Sequence, residues 1–166
     1  DLKAAEKAYG KVLERRRGSS LRKIDDYANL TRVMLGRGHV DGARQIADEL
    51  RRDWRGSKEG EFAALVMESL CADKQGEAAK AKQTLEKALL LRDAMKEEGR
   101  TAEVSQKLAL DLVQACLRTG DDAAAQEIVR KVAAENHDDR GMIAKIEQIY
   151  AQNGKEQQAR TLPFWA

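Results

Sequence analysis

Few residues in this sequence have the chemistry to act as ligands or acid–base groups. His137, Asp138 and Asp139 stand in a row and could in principle bind a metal ion. Three consecutive side chains diverge, however, and no second cluster supplies further ligands. An Asp after a helix end reads instead as the cap of the next helix. His39, the other histidine, belongs to a turn inside a hairpin, whereas His137 belongs to a junction between hairpins. An intervening helix of about 13 residues spans roughly 20 Å, which keeps the two apart. The carboxylate pairs Asp25-Asp26 and Glu97-Glu98 are adjacent in sequence, so they diverge around a helix and suit solvation better than shared proton chemistry. No GxxxxGK phosphate loop, G-x-S-x-G elbow or Cys-His pairing can be built from the spacing. Cys71 and Cys116 fall inside helical patterns and read as small buried side chains in a reducing compartment. These residues predict no catalytic set, no metal site and no cofactor.

The elements that carry them are helical. Charged residues make up 35% of the 166-residue chain and aromatics 4%, with a single proline, Pro163, and no alternating β-branched or aromatic run of useful length. The length suits one domain with a real core. The net charge of +2 conceals an asymmetry: residues 1–58 carry 15 Lys/Arg against 9 Asp/Glu, so the first part is basic and the remainder acidic. No apolar run approaches the roughly 20 residues needed to span a bilayer. The 3.6-residue periodicity predicts nine helices, over 1–17, 21–36, 40–54, 58–74, 77–97, 102–118, 122–135, 139–152 and 156–162.

One string recurs. "LGRGHVDGARQIADEL", "DKQGEAAKAKQTLEKAL", "GDDAAAQEIVRKVAAENHDD" and "AQNGKEQQARTL" align on a glycine followed five residues later by an alanine: Gly38 and Ala43, Gly76 and Ala81, Gly120 and Ala125, Gly154 and Ala159. A glycine just past a helix can take the left-handed conformation that ends it, and a small alanine lets the next helix approach closely. The opening "DLKAAEKAYGKVLE" fits the second half of the same unit. Ser57, Thr101 and Asp138 or Asp139 read as N-caps at the junctions between units.

This pattern resembles the tetratricopeptide repeat (TPR) family, helical hairpins stacked into a right-handed superhelix. The resemblance runs from Asp1 to about Leu162. It implies a half repeat over 1–20, repeats over about 21–57, 58–100, 101–138 and 139–162, and an apolar tail over 163–166. The glycine spacings are 38, 44 and 34 residues, so two linking segments carry insertions. Tyr27 and Thr31, Leu65 and Ser69, Ala109 and Val113, and Ile143 and Glu147 stand where the family often has a large aromatic and a glycine, and its closing proline is absent.

The resemblance implies an inner wall built from the first helix of each hairpin: Asp25, Ala28 and Arg32; Val66, Leu70 and Asp73; Lys107, Leu110, Gln114 and Arg118; Ala144 and Gln148. Val66, Leu70 and Leu110 on that face suggest a groove for a peptide, a helix or a partner domain. The family's clamp for a C-terminal carboxylate is not reproduced, since Ala28 and Arg32 occupy two of its places. A second candidate is a basic edge. "ERRRGSSLRK" and "RRDWRGSK" occupy equivalent junctions, so Arg15, Arg16, Arg17, Arg22 and Lys23 can line up with Arg51, Arg52, Arg55 and Lys58 to meet an acidic protein or a nucleic acid. Trp54 alone provides poorly for base stacking, which disfavours nucleic acid. A third is self-association through "LPFWA", where Phe164 and Trp165 follow the helix-stopping Pro163.

The stretch "VAAENHDDRGMIAKIEQIYAQNGKEQQARTL" is also similar to the C-terminal repeats of bacterial response regulators that carry a receiver domain ahead of a TPR array. The expectation is a non-enzymatic all-α scaffold for protein interaction, cut from a longer bacterial cytoplasmic protein, with no membrane association.

Overall fold

The computed structural model describes residues 1–16, 23–99, 105–136 and 138–162. Among them are nine α-helices and no strand: α1 (Leu2–Arg15), α2 (Ile24–Gly36), α3 (Val40–Asp53), α4 (Lys58–Lys74), α5 (Ala78–Glu97), α6 (Gln106–Thr119), α7 (Asp122–Glu135), α8 (Arg140–Gln152) and α9 (Glu156–Ala159). They group into two compact units, Asp1–Leu108 and Ala109–Ala166, with the division inside α6.

The four glycine turns share one hydrogen-bond pattern. Gly38, Gly76, Gly120 and Gly154 have φ of 77°, 76°, 82° and 68°. In each, the glycine N–H donates three residues back, to Leu35, Asp73, Leu117 and Ala151. The next N–H donates five back, His39 to Met34, Glu77 to Ala72, Asp121 to Cys116 and Lys155 to Tyr150. This is the Schellman closure, which satisfies carbonyls that a helix end leaves open. The alanines five residues on are all buried, at 0%, 1%, 0% and 6% exposure for Ala43, Ala81, Ala125 and Ala159.

In the first unit α1 packs on α2, α2 on α3 and on α4, α3 on α4, and α4 on α5. Because α4 is covered by three helices, its buried positions run around the whole cylinder, from Phe62 to Met67 without a break. Thr31 Oγ1 of α2 reaches Met67 Sδ at 3.6 Å, and Ser69 Oγ donates to the carbonyl of Ala81 at 2.8 Å, a contact a larger residue at either place would hold off. Tyr27 is wholly buried, and its hydroxyl donates to Asp53 Oδ2 at 2.5 Å. In the second unit Val129, Ile146 and Tyr150 are fully buried, and α8 packs on α9.

Several helix ends differ from the sequence-based expectation. α2 starts at Ile24 rather than residue 21, where the Asp26 carboxylate accepts the Lys23 N–H at 2.9 Å. α6 starts at Gln106 rather than residue 102, capped by Ser105 Oγ, which accepts from Leu108 N at 3.1 Å; the expected cap Thr101 lies outside the described residues. α9 is a single turn that ends at Ala159, short of residue 162. Ser57 and Asp139 cap α4 and α8 as expected, accepting from Gly60 N and Met142 N.

Candidate interaction cleft

Between the end of α3 and the start of α4 lies an open cleft of about 760 Å³, walled by Arg51, Arg52, Trp54, Arg55, Asp48 and Glu61, with Gln45, Gly56 and Ser57 completing it. Local backbone chemistry builds it. Trp54 ends α3, its N–H donating to Leu50 O at 2.9 Å. Gly56, at φ 82°, turns the chain, and Ser57 then donates to Trp54 O and accepts from Gly60 N to open α4. The half-buried Trp54 is held in place from below: a Cβ on Gly60 would lie 2.5 Å from Trp54 Cβ, so only glycine leaves room for it.

The three arginines of the cleft are in different states. Arg51 donates to Glu61 Oε2 at 2.8 Å and to Glu68 Oε1 at 2.5 Å. The Glu68 hydrogen bond, against partial desolvation and with help from Glu61, raises its pKa further above the ordinary guanidinium value. Arg52 and Arg55 are exposed, and no carboxylate among the described residues pairs with them. The cleft therefore presents two uncompensated guanidiniums beside an aromatic ring.

The residues expected to form a basic edge are placed as follows. Arg51, Arg52 and Arg55 share the cleft, whereas Arg15, Arg16, Lys23 and Lys58 do not line it. Arg16 is paired with Asp26 at 2.8 Å, and Lys58 is hydrogen-bonded to Glu98. Arg15 and Lys23 are exposed, and Arg17 and Arg22 lie outside the described residues. Glu61 and Glu68, which hold Arg51, carry a signal the sequence reading missed: seven residues apart, they share one face of α4.

The groove residues need a correction. Val66 is 0% and Leu110 8% exposed, so neither offers an apolar surface to a partner; Val66 is covered because α4 is enclosed by α2, α3 and α5. Leu70 remains half-exposed, as does Asp73. Asp25 accepts from Ser105 Oγ at 2.7 Å, and Arg32 donates to Asn29 Oδ1 at 3.0 Å. Gln114 accepts from Asn153 Nδ2 at 3.2 Å, while Lys107, Arg118 and Gln148 are exposed.

The remaining chemical candidates sit as follows. Among the described residues no group of three His, Cys, Asp or Glu could hold a metal ion, and no helix is long and apolar enough to cross a membrane. Cys71 and Cys116 are buried free thiols, and burial pushes the Cys71 thiol up to about 11. Asp139 caps α8; His137 and the tail from Pro163 lie outside the described residues. Comparison with protein-family models, curated proteins and solved structures finds no match to this chain.

Proposed function

We propose that this chain is a non-catalytic helical-repeat scaffold of the tetratricopeptide type, whose work is to hold a segment of another protein. The observation that carries this reading is the fourfold turn: glycine in the left-handed conformation, the same Schellman hydrogen bonds, and a buried alanine five residues on. Such recurrence is what stacked hairpins require of their joints, and repeat arrays present extended surfaces suited to peptides and partner domains. Repeat-to-repeat contacts support it. Glu6 faces His39 at 3.3 Å and Arg44 meets Glu77 at 2.9 Å, the same two positions of successive units with the carboxylate moved from one position to the other. The right-handed superhelix, a cytoplasmic setting and an output role beside a bacterial receiver domain belong to this proposal, on the strength of the sequence resemblance alone.

The test is selection of a displayed random-peptide library on the purified chain. A scaffold of this kind enriches peptides with a shared motif that bind with Kd in the micromolar range, about −8 kcal/mol. Enrichment no greater than on an unrelated helical bundle would remove the proposal.

A further inference from the structure

We infer that the α3–α4 cleft is the docking site for an acidic peptide segment, with carboxylates on Arg52 and Arg55 and an apolar side chain against Trp54. This rests on the scaffold reading and names its partner class. Charge complementarity is the first argument. Arg51 shows what the site does with carboxylates, since its guanidinium already holds two of them, Glu61 and Glu68. Arg52 and Arg55 present the same planar fork, exposed and with no carboxylate partner among the described residues. A guanidinium fork matches a carboxylate in a two-bond arrangement, so an Asp or Glu side chain is the natural complement.

The second argument is the anchoring of Trp54. Its Cβ and Cγ lie over Gly60 and the residue is half-buried, so the base of the side chain is fixed before a partner arrives and less conformational freedom is lost on binding. Tryptophan and arginine are the residue types that dominate binding energy at the centres of interfaces. A cleft of about 760 Å³ accepts one large apolar side chain with its neighbours.

A nucleic acid fits less well. Single-stranded binding needs successive aromatic platforms, and here Trp54 is alone. Asp48 and Glu61 also line the cleft and would repel a continuous chain of phosphates. A peptide can place its carboxylates on Arg52 and Arg55 and leave neutral residues opposite Asp48.

The experiment uses the full chain carrying Trp165→Phe, which leaves Trp54 as the tryptophan reporter. Fluorescein-labelled peptides of equal length, rich in glutamate, neutral or rich in lysine around a central leucine, are titrated alongside an oligouridylate. The glutamate peptide should bind tightest, shift the Trp54 emission and weaken with added salt. The double variant R52E/R55E should weaken it by about tenfold or more with the melting temperature unchanged, because both side chains are exposed and unpaired. Tightest binding of the oligouridylate, or glutamate-peptide binding that R52E/R55E leaves unchanged, overturns the inference; in the second case the scaffold reading stands. Absence of binding by all three peptides overturns the inference alone, and the peptide library then decides the scaffold reading.

Discussion

Trp54 lies directly on Gly60: a side chain on the glycine would come within 2.5 Å of Trp54 Cβ and 3.3 Å of its carbonyl oxygen. Glycine is otherwise a poor choice in the first turn of a 17-residue helix. Its presence follows from the need to seat an aromatic residue across the α3–α4 turn, which also shapes the cleft.

Gly60→Ala should therefore destabilise the protein although alanine is the better helix former. Overpacking against Trp54 costs about 1–3 kcal/mol, and the helix-propensity gain is at most about 1 kcal/mol. Gly10 in α1 is the control, since a Cβ there meets nothing within 4 Å; Gly10→Ala should add about 0.5–1 kcal/mol. Urea denaturation of the two variants reads the difference, and the reverse order would contradict the contact.

The repeated turns make a paired prediction. Gly38→Ala and Gly120→Ala should each lose about 1–2 kcal/mol, because a Cβ is strained at positive φ. Ala43→Leu and Ala125→Leu should each lose about 1–3 kcal/mol by overpacking positions with no exposed surface. Thermal denaturation of the four variants checks this, and an unaffected alanine variant would mean that its position is not a close-packed joint.

Acid should weaken the second unit through Asp122. The Lys155 hydrogen bond holds the Asp122 carboxyl below the ordinary carboxylate range, with Gln158 adding to it and burial opposing. The folded state then binds the proton less readily than the unfolded chain. The pair's stabilisation is present above the unfolded value near 4 and is lost as pH falls through the lower folded value. Asp122→Asn should lower the melting temperature at neutral pH, and the gap to the parent should close below about pH 4. A gap that is constant with pH would show that the pair contributes nothing. Glu6 should behave alike: desolvation alone raises its pKa, but the hydrogen bonds and charges of its partners Arg37 and His39 together outweigh it and leave the value lowered.

Two buried tyrosines should respond in opposite ways to loss of the hydroxyl. Tyr150 Oη is buried with no hydrogen-bond partner among the described residues, so Tyr150→Phe should be neutral or stabilising. Tyr27 donates to Asp53, so Tyr27→Phe should cost about 1–2 kcal/mol. Chemical denaturation of both variants gives the comparison directly, and equal losses would refute it.

The sequence by itself determined the helical class and the register of the turns, because these depend on local chemistry. A glycine relieves the left-handed strain wherever it follows a helix, Ser57 and Asp139 cap the residues three positions on, and the 3.6-residue period marks buried faces. The bounds of α4 and α7 could be read directly for that reason. Only the tertiary structure decided which surfaces remain available. Arg51 is neutralised by Glu68, 17 residues away, and Lys58 by Glu98, 40 residues away, while Arg52 and Arg55 meet no carboxylate among the described residues. Val66 is enclosed because α2, α3 and α5 all close on α4. Charge pairing and burial arise between residues remote in the chain, so periodicity can nominate a face but cannot say what covers it.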